Sequence, residues 1–153
     1  MDTATTFHDA DPDDPPAQAC LAAYFNLLAQ VIPGLAPPGL PLYDAADYRP
    51  PSGVFRLARQ GGQTLGCVSL RAHAPGIAEV KRLWIAPEAR GQGLARRLMQ
   101  DIETRARAIG YTRLVLDTNA ALPAAIALYQ GSGWAAIPAY TGFPATHWFG
   151  KDL

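Results

Sequence analysis

The stretch Val80–Ile109, VKRLWIAPEARGQGLARRLMQDIETRARAI, reads as a strand, a glycine turn and a long helix. Val80, Leu83, Trp84 and Ile85 supply branched and aromatic residues, and Pro87 ends the strand. After Gly91 and Gly93, apolar residues recur at Leu94, Leu98, Ile102, Ala106 and Ile109, the spacing of a helix buried along one side. Gly110 follows at the position where a helix commonly closes in a left-handed residue.

The two glycines sit where the strand gives way to the helix, and the first helical turn carries backbone N–H groups without internal partners. A turn lacking side chains lets a phosphate approach those groups, and the helix dipole favours its charge. Arg90 at the same corner can add a charge-assisted contact. The pattern is neither GxxxxGK[ST] nor a GxGxxG with an acidic partner downstream. The glycines alone fit a pyrophosphate site, and equally a tight β–α connection that binds nothing.

Working outward, the 153 residues suit one domain of ordinary size with a substantial core. A formal net charge of zero speaks against general binding to nucleic acid or anionic membranes, which calls for a basic excess. The basic residues do cluster: ten of the 13 Lys and Arg lie from Arg56 to Arg107. Cys20 and Cys67 fall in apolar segments, read as buried thiols rather than a disulfide or metal pair. No His joins a metal-ligand pattern, so no metal is expected. No signal-like start or membrane-length apolar run is present in the sequence, and a soluble cytoplasmic protein is expected.

Around Thr6 a short first strand is expected, and Asp14 as cap and Pro15 introduce a helix running from about Ala17 to Val31, with Cys20, Leu21, Tyr24, Leu27, Leu28 and Val31 on its apolar face. Residues 33–51 are rich in proline, with one or two helical turns from Tyr43 to Tyr48. Val54–Arg59 and Leu65–Arg71 form a hairpin around Gly61-Gly62, and a second turn lies at His73–Gly76. Within the long helix, Arg97–Asp101, Asp101–Arg105 and Glu103–Arg107 are expected as surface pairs contributing about 0.2–0.5 kcal/mol each. A strand at Arg113–Asp117, a helix at Leu122–Gln130, and strands at Trp134–Ile137 and Thr146–Phe149 complete the chain, whose alternation predicts an α/β architecture.

Arg90-Gly91-Gln92-Gly93-Leu94-Ala95 resembles the acyl-CoA signature of the GNAT superfamily of N-acetyltransferases. The flanking strand and helix, Leu114–Asn119, Ala125–Tyr129 and Gly131–Trp134 are similar to it in the same order, and the resemblance extends from about Val54 to Leu153. It implies one domain over residues 1–153, with a mixed, mostly antiparallel sheet of six to seven strands flanked by helices. The strands after the central one would splay apart, with the coenzyme in the gap. It implies acetyl-CoA as co-substrate, contacted by Leu83, Trp84, Ile85, Arg90, Gly91, Gln92, Gly93, Leu94, Ala95, Arg96, Asn119 and Tyr129. Tyr129 would be the general acid toward the departing thiolate, and Glu79 the base, directly or through water. Asn119 equally suits a helix cap, Tyr129 a buried aromatic anchor and Glu79 a strand-end charge. Cys67 is expected in the core. Tyr43, Tyr48, Tyr140, Phe143, His147 and Trp148 are candidates for the acceptor side, or for packing. Trp84 stands where the family commonly has tyrosine. The acceptor is expected to be a small-molecule amine. A protein amine, or an acyl-CoA sensor without turnover, is the alternative. A homodimer is compatible with the apolar C-terminal strands.

Overall fold

The structure is a computed structural model, and it describes residues 4–35 and 44–153. The elements run β1 (Thr6–Asp9), α1 (Pro15–Val31), β2 (Val54–Gln60), β3 (Gln63–Ala74), β4 (Ile77–Ile85), α2 (Leu94–Ile109), β5 (Arg113–Thr118), α3 (Pro123–Gln130), β6 (Ala135–Ala136) and β7 (His147–Asp152), with a 3₁₀ turn at Ala45–Tyr48. The seven strands form one sheet in the order β1-β2-β3-β4-β5-β7-β6. All neighbours are antiparallel except β4 and β5. The mixed, mostly antiparallel sheet flanked by helices matches the expected architecture.

Alternation along the strands sorts the helices onto two faces. Val80, Ala78, Leu114 and Leu116 share a core with Leu94, Leu98, Met99, Ile102 and Ala106 of α2 and Tyr129 of α3. Phe55, Leu57 and Cys67 point the other way, against Ala17, Cys20 and Leu21 of α1. Each fully buried side chain of the size of Leu98 or Ile102 contributes about 1.5–3 kcal/mol, so α2 is held by its apolar stripe far more than by surface charge. The β2–β3 turn places Gly61 and Gly62 at φ 56° and 82°, the two positive values a two-residue hairpin with the sheet's twist requires.

The expected charge pairs within α2 do not form. Asp101 instead receives two hydrogen bonds from Arg56 of β2, and Arg105 reaches Asp9 of β1, so the helix surface is tied to the sheet edge. Glu103 is buried and pairs with Lys151 of β7 at 2.8 Å. Tertiary partners fixed on the sheet displace mobile neighbours on the same helix. Asp14 stands at the N-cap of α1 but turns its carboxylate back to the Asp11 N–H, leaving the helix start to Pro15 and Pro16. Lys151→Met is expected to destabilise the fold by roughly 3 kcal/mol, because Glu103 is then buried without its counter-charge. Denaturant unfolding of that variant and of the Glu103→Leu, Lys151→Met double variant measures it, the double variant regaining most of the loss.

Candidate active site

Two residues of β4 depart from regular pairing. Cys67 opposes Trp84 and Ser69 opposes Lys81, so Val68 alone faces both Arg82 and Leu83. The extra residue is Arg82, at φ +60°, a left-handed conformation that a non-glycine residue adopts at a cost. The Ser69 hydroxyl donates to the Lys81 carbonyl at 2.9 Å, and the Cys67 thiol to the Arg82 carbonyl at 3.2 Å. These two buried side chains meet the hydrogen-bonding needs that the interrupted ladder leaves behind. Cys67 is thus core, as expected. The neighbouring Cys20 thiol and burial push its pKa up, which keeps it from serving as a nucleophile.

Beyond the bulge β4 and β5 part company. Their parallel pairing covers only Ile77–Glu79 against Arg113–Val115. The gap that opens is a cleft lined by Tyr24, Val80, Lys81, Arg82, Leu83, Leu116, Asp117, Thr118, Leu122, Ala125 and Tyr129. Tyr24 enters from α1 and Tyr129 from α3, so two phenols converge on it from opposite faces of the sheet. Burial pushes the Tyr24 pKa up to about 12. Burial, with Tyr24 and Asp117 nearby, raises that of Tyr129 well above the ordinary phenol range. Both groups therefore hold their protons at neutral pH. The Tyr129 ring packs against Trp134 and Phe149, with centroids 6.0 and 5.8 Å away.

At the end of β4, Pro87–Ala89 makes one 3₁₀ turn and the chain enters α2 through Gly91 and Gly93, at φ 75° and 78°. A Cβ built on either glycine would meet nothing within 4 Å. Gly93 is the N-cap and no side chain caps the helix there. The first turn of α2, from Leu94 to Arg96, thus starts without a side-chain acceptor for its amides, the arrangement that suits an anion. Arg90 is fixed by donating from Nε to the Ile85 carbonyl at 3.0 Å, and Gln92 donates to the Glu88 carbonyl.

Glu79 occupies a different position from the one its strand-end place suggests. It is 0% exposed. Its carboxylate accepts from Arg71 Nε at 2.9 Å and from the Tyr140 hydroxyl at 2.7 Å, with Lys81 Nζ 3.7 Å away. Asn119 is also engaged: its Nδ2 donates to the Pro144 carbonyl at 2.6 Å and its Oδ1 accepts from the Ala121 N–H at 2.7 Å. It orders the turn before α3, whose N-cap is Leu122.

The loop between β6 and β7 lies across this side of the sheet. Tyr140 holds Glu79, Thr141 donates to Asp117 at 2.7 Å, and Trp148 Nε1 donates to Thr141 at 2.8 Å. Phe143, 71% exposed, sits near Gly34 after α1. His147 stacks on Phe149 and is bonded to Thr146. Tyr48 is buried, its hydroxyl accepting from Arg82, whose guanidinium lies over the Tyr48 and Phe25 rings. Tyr43 lies outside the described residues. The sequence reading passed over Lys81, Arg82, Asp117, Arg71 and Thr141. The available signal was the two-residue step from Glu79 to Lys81, which puts both on one face of β4. Among the described residues, no helix is long and apolar enough to cross a membrane and no cluster of side chains suits a metal ion.

The profile of the Acetyltransferase (GNAT) family matches residues 21–134. An uncharacterised N-acetyltransferase of Schizosaccharomyces pombe is 38% identical over 95 residues, 61% of this chain and 58% of its own length. The chain spans less than two thirds of the first curated relatives it matches. Among solved structures, a candidate acyl-CoA N-acyltransferase of Klebsiella pneumoniae superposes with a TM-score of 0.79 at 27% identity, covering 97% of each chain. A GNAT family acetyltransferase of Elizabethkingia anophelis, solved with acetyl-CoA bound, gives 0.70 at 18% identity, covering 97% of this chain and 98% of its own.

Proposed function

The chain belongs to the Acetyltransferase (GNAT) family, and on that premise we propose that it transfers the acetyl group of acetyl-CoA to a small primary amine by direct attack in a ternary complex. The observation that carries this reading is the splay: phenols with a carboxylate line the gap, and the strand that leaves the sheet runs on into an uncapped helix N-terminus. Backbone amides from Gly91 to Ala95 take the pyrophosphate, with Arg90, Gln92 and Arg96 around them. The backbone of Leu83, Trp84 and Ile85 pairs with the amide-bearing arm as an added strand. Asn119 borders that arm through the turn it orders. Acetyl-CoA supplies an acyl group activated by a thiolate leaving group.

Tyr129 is the general acid. A phenol held protonated by burial at the cleft wall is a donor for a departing thiolate. On the α1 face, Glu79 and Asp117 with Lys81 between them provide for the proton that the amine must shed. No covalent enzyme intermediate is needed, and the buried Cys67 offers none.

A free-thiol release assay with acetyl-CoA and a panel of polyamines, aminoglycosides, amino acids and basic peptides tests the reading. Release with a small amine is the expected result. Release with basic peptides alone would move the assignment to a protein acetyltransferase. Coenzyme binding without release across the panel would favour an acyl-CoA sensor.

A further inference from the structure

Two carboxylates lie on the α1 side of the cleft, and one of them faces it. The Asp117 side chain is 19% exposed and lines the cleft, whereas that of Glu79 is 1% exposed and does not. Glu79 spends its oxygens on Arg71 and Tyr140 behind the cleft wall. Asp117 is held differently. Its Oδ2 accepts from the neutral Thr141 hydroxyl at 2.7 Å, and Lys81 stands off from its Oδ1 at 3.5 Å. A charge-assisted N–H···O bond commonly closes to about 2.7–2.9 Å, so Oδ1 keeps capacity for a further donor. Tyr24 from α1, Tyr129 from α3 and Tyr140 from the β6–β7 loop also sense its charge, which raises the pKa of each.

The choice of Lys81 bears on the same point. Lys81 and Lys151 are the two lysines among the 13 Lys and Arg of the chain, the rest being arginine. An arginine at 81 would meet Asp117 with a planar fork and engage both of its oxygens. The compact ammonium sits between Glu79 and Asp117 at 3.7 and 3.5 Å, balancing both charges while leaving Oδ1 approachable.

We propose that Asp117 binds the acceptor as its ammonium and takes the proton it sheds, with Thr141 and Lys81 fixing the carboxylate and Glu79 acting behind them as a positioning residue. The proposal rests on the acetyl-transfer reading and deepens it. The ammonium N–H bond breaks and its proton joins Asp117 Oδ1. The freed nitrogen lone pair bonds to the acyl carbon, and the C–S bond breaks with its electrons leaving on sulfur. The sulfur takes the phenolic proton of Tyr129, the acylated nitrogen gives its second proton to water, and both side chains are restored by exchange with water. The acceptor class follows: an amine basic enough to arrive charged, rather than a hydroxyl or an aniline.

Trp148 supplies the readout, because its indole N–H bonds the same Thr141 hydroxyl that holds Asp117. Protein with and without CoA would be titrated with n-butylammonium, phenethylammonium, spermidine and lysine while tryptophan emission is followed. A Trp148→Phe variant identifies the responding ring. The expected result is a saturable change with at least one probe, weakened ~10-fold or more in Asp117→Asn. With the same amine as acceptor, KM rises while the acetyl-CoA Kd from calorimetry stays within about twofold. Lys81→Arg, which keeps the charge but closes the carboxylate, is expected to weaken the probe to a similar degree and decides the matter should Asp117→Asn not fold. No response to any probe in the wild type, or either variant titrating like it, overturns the proposal. Loss of acetyl-CoA binding in the wild type would sink the transfer reading instead, with the ammonium titration still judging Asp117.

Discussion

Tyr129→Phe is expected to lower turnover by at least ~100-fold, with the acetyl-CoA Kd changed by no more than about threefold. The substitution deletes one hydroxyl and keeps the ring that packs on Trp134 and Phe149, so the wall of the cleft survives. What is lost is the proton. The phenol is kept protonated by burial and by the charge of Asp117, and at neutral pH it can give but hardly accept. A departing CoA thiolate must then find its proton elsewhere. The measurement is single-turnover thiol release under saturating acetyl-CoA and amine, beside calorimetry of coenzyme binding. Turnover equal to the wild type would remove Tyr129 from the chemistry and leave it an aromatic anchor.

Gly93→Asp is expected to weaken acetyl-CoA binding by at least ~100-fold, about 2.7 kcal/mol, while the protein still folds. At φ +78° any side chain costs something, but Asp is among the residues that tolerate the left-handed region best. Its Cβ would meet nothing of the protein within 4 Å. At the N-cap of α2 its carboxylate can accept from the helix amides itself, recovering part of the backbone cost. The cap then occupies the donors proposed for the pyrophosphate and adds a negative charge beside it. Calorimetry reads the affinity. Thermal unfolding, with a Tm within roughly 4 °C of the wild type, shows that the effect is local. An unchanged Kd in a folded variant would place the coenzyme elsewhere.

The two faces of the sheet were legible because strands announce themselves by alternation and α2 by its four-residue steps. Leu98, Ile102 and Ala106 are all fully buried where those steps put them. Gly91 and Gly93 were legible for a related reason: positive φ is a local demand that residue type records. The partners of charged residues were not. Nothing in the spacing of Asp101 and Glu103 tells whether Arg97 and Arg107 or the distant Arg56 and Lys151 will hold them, since that depends on which strand passes beneath the helix. Glu79 was a candidate for the site from the sequence, but its burial arises from Arg71 and the Tyr140 loop, 8 and 61 residues away. Asp117 went unremarked because a carboxylate closing a strand looks ordinary until β4 swings away from it.

That swing begins at Arg82. A strand is a parity device, in which even and odd positions choose their side. Lys81 precedes the extra residue and Trp84 follows it, so the charged residues of the cleft and the end of β4 that leads into α2 are counted from opposite ends of one interruption. Removing Arg82 would restore a regular ladder with Cys67 and Ser69 and leave Leu83 and Ile85 facing α2, but the strand would lose the local bend and added twist of the bulge, beyond which it no longer pairs with β5. The stretch can therefore change its letters more readily than its length. Among working relatives, deletions here should be rarer than substitutions, even of Arg82 itself.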